Sequence, residues 1–173
     1  MDYDTTSRKG GHRRILEEFS SGQADILIGT QMIVKGHDFP RVTLVGILAA
    51  DLSLHAGDYR ASETTFQLLT QAAGRAGRRG IPGKVVIQTY QPEHYSIQAA
   101  AKQDYERFYQ QEILYRNLLK YPPAGFLMEV MISSEDAVKA EEAARKLAEE
   151  IARACGEEGQ VTGPADAPVA RVK

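Results

Sequence analysis

The sequence predicts an α/β fold, with a parallel sheet flanked by helices in the first part of the chain and a partial α+β domain after it. Three observations support this. Short apolar runs without polar alternation recur at Ile26-Leu27-Ile28, Val42 to Ala49 and Val85-Val86-Ile87, the pattern of strands buried on both faces of a parallel sheet. Segments with helical periodicity separate these runs. A diproline, Tyr121-Pro122-Pro123, then makes the clearest boundary in the chain, because proline cannot continue a helix and restricts the residue before it.

The first helix places Ile15, Leu16 and Phe19 on one face, and Gly22 can end it. Phe66, Leu69 and Ala73 mark a second helix, expected to run on toward Gly80. From Asp104 to Lys120 the apolar positions Tyr105, Phe108, Tyr109, Ile113 and Leu118 predict a long helix that the diproline stops. Beyond it, Leu127 to Ile132 reads as a strand, and Ser133 with Asp136 as a capping box for a helix bearing Ala140, Ala143, Ala144, Leu147 and Ile151. Glu141 with Arg145 and Glu142 with Lys146 form i,i+4 pairs in the favourable order. Val161 to Lys173 begins another strand and a proline-rich turn. The expected organisation is a first lobe over residues 1–97, connecting helices over 98–121 and the start of a C-terminal α+β domain over 122–173. One strand, one helix and a fragment bury too little surface for an independent domain, so that last part is expected to be incomplete.

Hydrophobic residues at 43% and charged residues at 25% are a globular composition, which excludes a disordered chain. The formal net charge of −2 provides no global attraction for nucleic acid, so any such contact must come from local patches. Cys155 is the only cysteine, which excludes an intrachain disulfide and a multi-cysteine zinc site and fits a reducing, cytosolic setting. The acidic start Met1-Asp2-Tyr3-Asp4 is no signal peptide, and no run approaches the ~18 apolar residues of a membrane span.

The most informative segment is Gln71-Ala72-Ala73-Gly74-Arg75-Ala76-Gly77-Arg78. On a helix, Gln71, Arg75 and Arg78 would fall at i, i+4 and i+7, projecting one amide and two guanidinium groups from one face. Gly74 and Gly77 would each cost about 1 kcal/mol there relative to alanine, which suggests a close approach to the backbone. Guanidinium groups suit the charge of a transferring phosphoryl group. The alternative is a fraying helix end whose arginines complement the macrodipole, the reading preferred for Arg79, which lies off the face.

The second segment, Gly29 to Pro40, follows the expected strand Ile26 to Ile28, and residues just past a parallel strand's carboxyl end line the ligand crevice. Thr30, Gln31 and Lys35 offer donors to phosphate or sugar, and Asp38 can accept from a ribose hydroxyl. An ordinary loop with Asp38 capping a turn is the competing reading, and His37 reads as an incidental loop histidine. A basic cluster, Arg8-Lys9-Gly10-Gly11-His12-Arg13-Arg14, opposes the macrodipole of the first helix, which leaves a DNA phosphate and a solvated face as equal explanations.

Together the two segments resemble motifs V and VI of superfamily 2 helicases. With Asp2-Tyr3-Asp4-Thr5-Thr6, Arg60-Ala61-Ser62-Glu63, Phe66-Gln67-Leu68-Leu69, Tyr121-Pro122-Pro123 and Gly163-Pro164, the likeness to the replication-restart helicases of that superfamily extends over nearly the whole chain. The resemblance implies the second RecA-like lobe of an ATP-dependent DNA motor, then the start of its C-terminal domain. It implies that Arg75 and Arg78 face the ATP phosphates with Gln71 supporting them. It also implies that Asp38, with Gly36, belongs to the nucleotide site, and that Thr30, Gln31 and Lys35 lie toward the DNA strand. ATP and magnesium would be held mostly by the other lobe, and zinc by cysteines outside these residues. The implied partners are single-stranded and forked DNA, primosome proteins and single-strand-binding protein, in the cytoplasm and with no membrane.

No G-x-x-x-x-G-K-[ST] occurs, since Gly83-Lys84 is followed by Val85 and has Arg78 where the earlier glycine belongs, and no acidic Walker B motif accompanies it. The chain alone is therefore expected to lack ATPase activity. Ala124 and Gly57 stand where the family commonly has an aromatic and a proline. Two further readings remain: the second lobe of another superfamily 2 motor, although RNA helicases usually place histidine at the position of Gln71, and a non-catalytic module that docks DNA or a partner.

Overall fold

A computed structural model describes residues 11–33, 39–77, 82–157 and 159–167. The chain divides into two units, Met1–Phe126 and Leu127–Lys173.

In the first unit, helix α1 spans Gly11–Ser21 and stops where Gly22 takes φ +82°, a left-handed conformation that glycine adopts without a Cβ penalty. Its basic start is not unopposed. Arg13 pairs with Glu17 and Arg14 with Glu18, each one helical turn apart and exposed, at 2.7 and 2.8 Å.

Strands β1 (Leu44–Ile47) and β2 (Lys84–Ile87) pair in parallel, with Leu44 opposite Lys84 and Ile47 opposite Ile87. The crossover between them runs through a 3-10 turn, Ala50–His55, and helix α2, Ala61–Ala73. Helices α3 (Tyr95–Lys102) and α4 (Tyr105–Leu119) follow. Phe66 and Leu69 of α2, Ile97, Ala99 and Ala100 of α3 and Phe108 of α4 form the core, onto which Ile47 and Ile87 pack. The rings of Phe66 and Phe108 stack with centroids 4.4 Å apart. The residues expected to connect two domains are thus part of this core, and the unit continues past residue 97 to Phe126.

Three expectations change here. The run Ile26 to Ile28 forms no strand, and Ile26 and Ile28 are each 77% exposed. An apolar run makes a strand only where a neighbour takes up its backbone hydrogen bonds, and the apolar pattern does not encode that neighbour. Leu44 and Val86 remain exposed, so the sheet alternates between a covered and an open face rather than being covered on both. Helix α2 ends at Ala73, with the Gly74 amide donating to the Thr70 carbonyl, well before Gly80.

Helix α4 matches its sequence pattern closely. The Asp104 carboxylate accepts from the Arg107 amide at 3.0 Å to start it, and Lys120, in a left-handed conformation, ends it just before the diproline.

The second unit contains helix α5, Ala137–Cys155, with Glu141 and Arg145 paired at 2.7 Å. Asp136 is its N-cap, accepting from the amides of Val138 and Lys139, while the Ser134 hydroxyl accepts from the Asp136 amide. The cap thus falls three residues later than the expected Ser133. Leu127 to Ile132 forms no strand, and neither does the described stretch from Val161, so the described residues of this unit are helical rather than α+β. Leu127, Met128, Val130 and Met131 are exposed, with no paired strand beside them among the described residues.

Candidate functional site

The second segment singled out in the sequence is tied to the chain that leads from the first into the amino end of the sheet. The Val42 amide donates to the Phe39 carbonyl at 3.2 Å, closing a turn that leads from the first segment into β1. The Gly77 amide donates to the Val42 carbonyl at 3.1 Å, so the second segment is fastened to the chain just before that strand. Gly83 presses against the same place. A Cβ built on it would lie 2.2 Å from the Gly77 nitrogen and 2.4 Å from the Ala76 carbonyl carbon, so only glycine permits this approach. Lys84 then enters β2 as its amide donates to the Thr43 carbonyl at 2.8 Å. Lys84 is therefore a strand residue and no part of a phosphate loop.

Gln71 lies exposed on the last turn of α2. Arg75 is half-buried and lies beyond the helix, in a turn where its amide donates to the Ala72 carbonyl at 3.0 Å and the Ala76 amide to the Ala73 carbonyl at 3.2 Å. Gly77 has φ +71°. The helical face expected to run on from Gln71 is broken before Arg75, since the helix ends at Ala73. A glycine at the cap and a second in a left-handed conformation turn the chain instead, which accounts for both glycines without an interior helix cost. Thr30 and Gln31 are exposed, at the start of a 3-10 turn, Gln31–Ile33, closed by the Ile33 amide donating to the Thr30 carbonyl. Arg78, Arg79, Lys35, Gly36, His37 and Asp38 lie outside the described residues, as do Arg8 to Gly10 of the basic cluster.

At the opposite end of the sheet a polar corner joins the segments that leave β1 and β2. The buried carboxylate of Asp51 accepts from the Thr89 hydroxyl and, at 2.8 Å, from the Tyr90 amide. The hydrogen bond from Thr89 is the main cause holding the Asp51 carboxyl below its usual range. Gln91 donates its amide to the Thr89 hydroxyl at 2.9 Å, and its side chain contacts the His55 ring at 3.1 Å. This corner gave no signal in the sequence, because Asp51 and Thr89 are separated by α2 and β2.

A second polar centre also went unread. The Arg116 guanidinium binds Glu112 and Glu63, each at 2.7 Å, and the Pro122 carbonyl at 2.9 Å, and it lies over the Tyr59 ring. The Tyr95 hydroxyl donates to the other Glu112 oxygen at 2.6 Å. Burial and that carboxylate push the Tyr95 phenol up to about 12, so it stays a neutral donor. This centre ties α4 and the diproline to the first turn of α2, whose far end bears Gln71.

Among the described residues no three metal-ligating side chains come together, so these residues do not fit a resident metal ion. No described helix is long and apolar enough to cross a membrane.

Residues 3–80 match the helicase conserved C-terminal domain. The replication restart protein PriA of Bacillus subtilis is 54% identical over 173 residues, which are 100% of this chain and 22% of the relative. That of Synechocystis sp. is 43% identical over 172 residues, 99% of this chain and 21% of the relative. That of Chlamydia pneumoniae is 53% identical over 123 residues, 71% of this chain and 16% of the relative. The chain thus spans about a fifth of the length of these relatives.

Proposed function

We propose, on the premise that residues 3–80 belong to the helicase conserved C-terminal domain family and form a RecA-like lobe, that this chain is the second motor lobe of an ATP-dependent DNA helicase that restarts stalled replication forks. Arg75 and Arg78 act on the ATP phosphates as arginine-finger groups, and Gln71 supports them. Asp38 and Gly36 take the ribose side of the nucleotide, while Thr30, Gln31 and Lys35 face the DNA strand. ATP and magnesium are held mostly by the first lobe, and zinc by residues outside this chain. The protein acts in the cytoplasm on single-stranded and forked DNA, with primosome proteins and single-strand-binding protein as partners.

The observation that best supports this reading is the Gly77 to Val42 hydrogen bond, with Gly83 against Gly77. It fixes the chain bearing Arg75 beside the chain that follows the DNA-facing segment, as a unit coupling DNA contact to phosphate chemistry requires. Guanidinium groups there can neutralise charge developing on a phosphoryl group bound by another lobe. Without that lobe no phosphate cradle exists.

The isolated chain should accordingly show no DNA-stimulated ATP hydrolysis above background, whereas the full-length protein should turn over. Turnover by the isolated chain that survives repurification and disappears in Arg78→Ala would contradict the assignment.

A further inference from the structure

Glu63 and Arg116 pair across 53 residues of sequence, at the end of α2 remote from Gln71 and Arg75. Arg116 projects from the last turn of α4 and reaches three stretches of chain: Glu112 one turn earlier, the Pro122 carbonyl and the Glu63 carboxylate in the first turn of α2. Ser62, beside Glu63, hydrogen-bonds the Tyr95 phenol, which itself donates to Glu112. The first turn of α2 is thus held at two neighbouring residues by polar contacts that pass through α3 and α4.

These contacts are directional where the apolar packing is not. Phe66 of α2 stacks on Phe108 of α4, and stacked rings tolerate an offset, whereas a charge-assisted hydrogen bond fixes both distance and direction. At the other end of α2 the Gly74 amide donates to the Thr70 carbonyl, the Arg75 amide to that of Ala72 and the Ala76 amide to that of Ala73, so the turn carrying Arg75 moves with the helix. A helix of 13 residues is a stiff rod about 20 Å long, which carries a shift at Glu63 through to that turn. The next residues are fastened elsewhere, since the Gly77 amide is bound to the Val42 carbonyl. Arg75 lies between the two attachments, so a displacement of α2 is taken up in the turn that carries it.

We propose that Glu63 and Arg116 are positioning residues for the phosphate chemistry: their ion pair sets the register of α2 along α4, and through it the place at which Arg75 is presented. The inference rests on the reading in which Arg75 acts on the ATP phosphates. In this assignment neither member of the pair contacts nucleotide or DNA, and both act through α2. Misplacing a reacting group by about 1 Å can cost about 10² fold in rate, so a small change of reach at Glu63 should be visible in turnover.

The test is steady-state DNA-stimulated ATP hydrolysis by the full-length protein with Glu63 varied, because Arg116→Ala would also leave the buried Glu112 carboxylate without its cation. Glu63→Asp keeps the charge and shortens its reach, Glu63→Gln keeps the reach and one acceptor without the charge, and Glu63→Ala removes both. Each is assayed well below its own melting temperature. Positioning requires reach, so Glu63→Ala and Glu63→Asp should lower kcat by about tenfold or more, with the KM for ATP and the affinity for a dT20 oligonucleotide little changed. Glu63→Gln should stay within about threefold of the parent. A role in stability alone shifts melting temperatures and leaves kcat at the parent value in every folded variant. The proposal is overturned if Glu63→Asp, the mildest change, keeps kcat within about threefold of the parent, if it turns over faster than Glu63→Gln, or if the losses are confined to KM. A parent protein without DNA-stimulated turnover would instead sink the motor reading, and this inference with it.

Discussion

The backbone amide of Gly77 reaches the carbonyl of Val42 across 3.1 Å, joining the end of the arginine-bearing segment to the chain that enters β1. Gly83 closes against Gly77 from the other side, at a spacing that admits no side chain.

Gly83→Ala should therefore disrupt this junction, because the atoms its Cβ would meet belong to the backbone and cannot swing aside. Overpacking of this kind costs about 1–3 kcal/mol. Urea denaturation of the two proteins measures the loss, and a stability equal to that of the parent would show that the junction opens freely.

Asp51 and Thr89 predict an acid-dependent stability. The folded-state pKa of Asp51 lies below its unfolded value, chiefly because of the Thr89 hydroxyl, so the unfolded chain takes up its proton first as pH falls. Its contribution is complete above the unfolded value of about 3.9 and is lost as pH drops through the lower folded value. Thr89→Val should lower the melting temperature at neutral pH and flatten its fall in acid. Parallel melting curves for both proteins across that range would remove the Asp51 corner from the acid response.

The pair Glu112 and Arg116 should behave as a buried ion pair, since their side chains are 9% and 11% exposed. Arg116→Ala leaves the Glu112 carboxylate without its cation and should cost about 3–5 kcal/mol. Replacing both, as Glu112→Leu with Arg116→Met, should recover part of that loss, because only Glu63, more exposed than Glu112, then lacks its cation. Chemical denaturation of the single and double variants gives the coupling directly, and a double variant as unstable as Arg116→Ala would argue for packing rather than charge.

Features written locally in the chain were legible from sequence. Asp104 starts α4 and the diproline stops it, Gly22 ends α1, and the apolar runs at β1 and β2 became strands. Pairing and distant contacts were not. Ile26 to Ile28 has a strand's composition but no ladder, and Glu63 meets Arg116 across 53 residues. The helical spacing expected from Gln71 to Arg75 did not hold, because the helix ends at Ala73 and Gly74 and Gly77 turn the chain.

The most direct test of the motor assignment is DNA-stimulated ATP hydrolysis by the full-length protein carrying Arg78→Ala or Arg78→Lys. An arginine finger acts mainly on the transition state, so Arg78→Ala should reduce turnover by about 10³ to 10⁵ fold while ATP and DNA affinity change little. Arg78→Lys should restore little, since an ammonium lacks the planar fork that engages two phosphate oxygens. Near-wild-type turnover in Arg78→Lys would contradict the assignment.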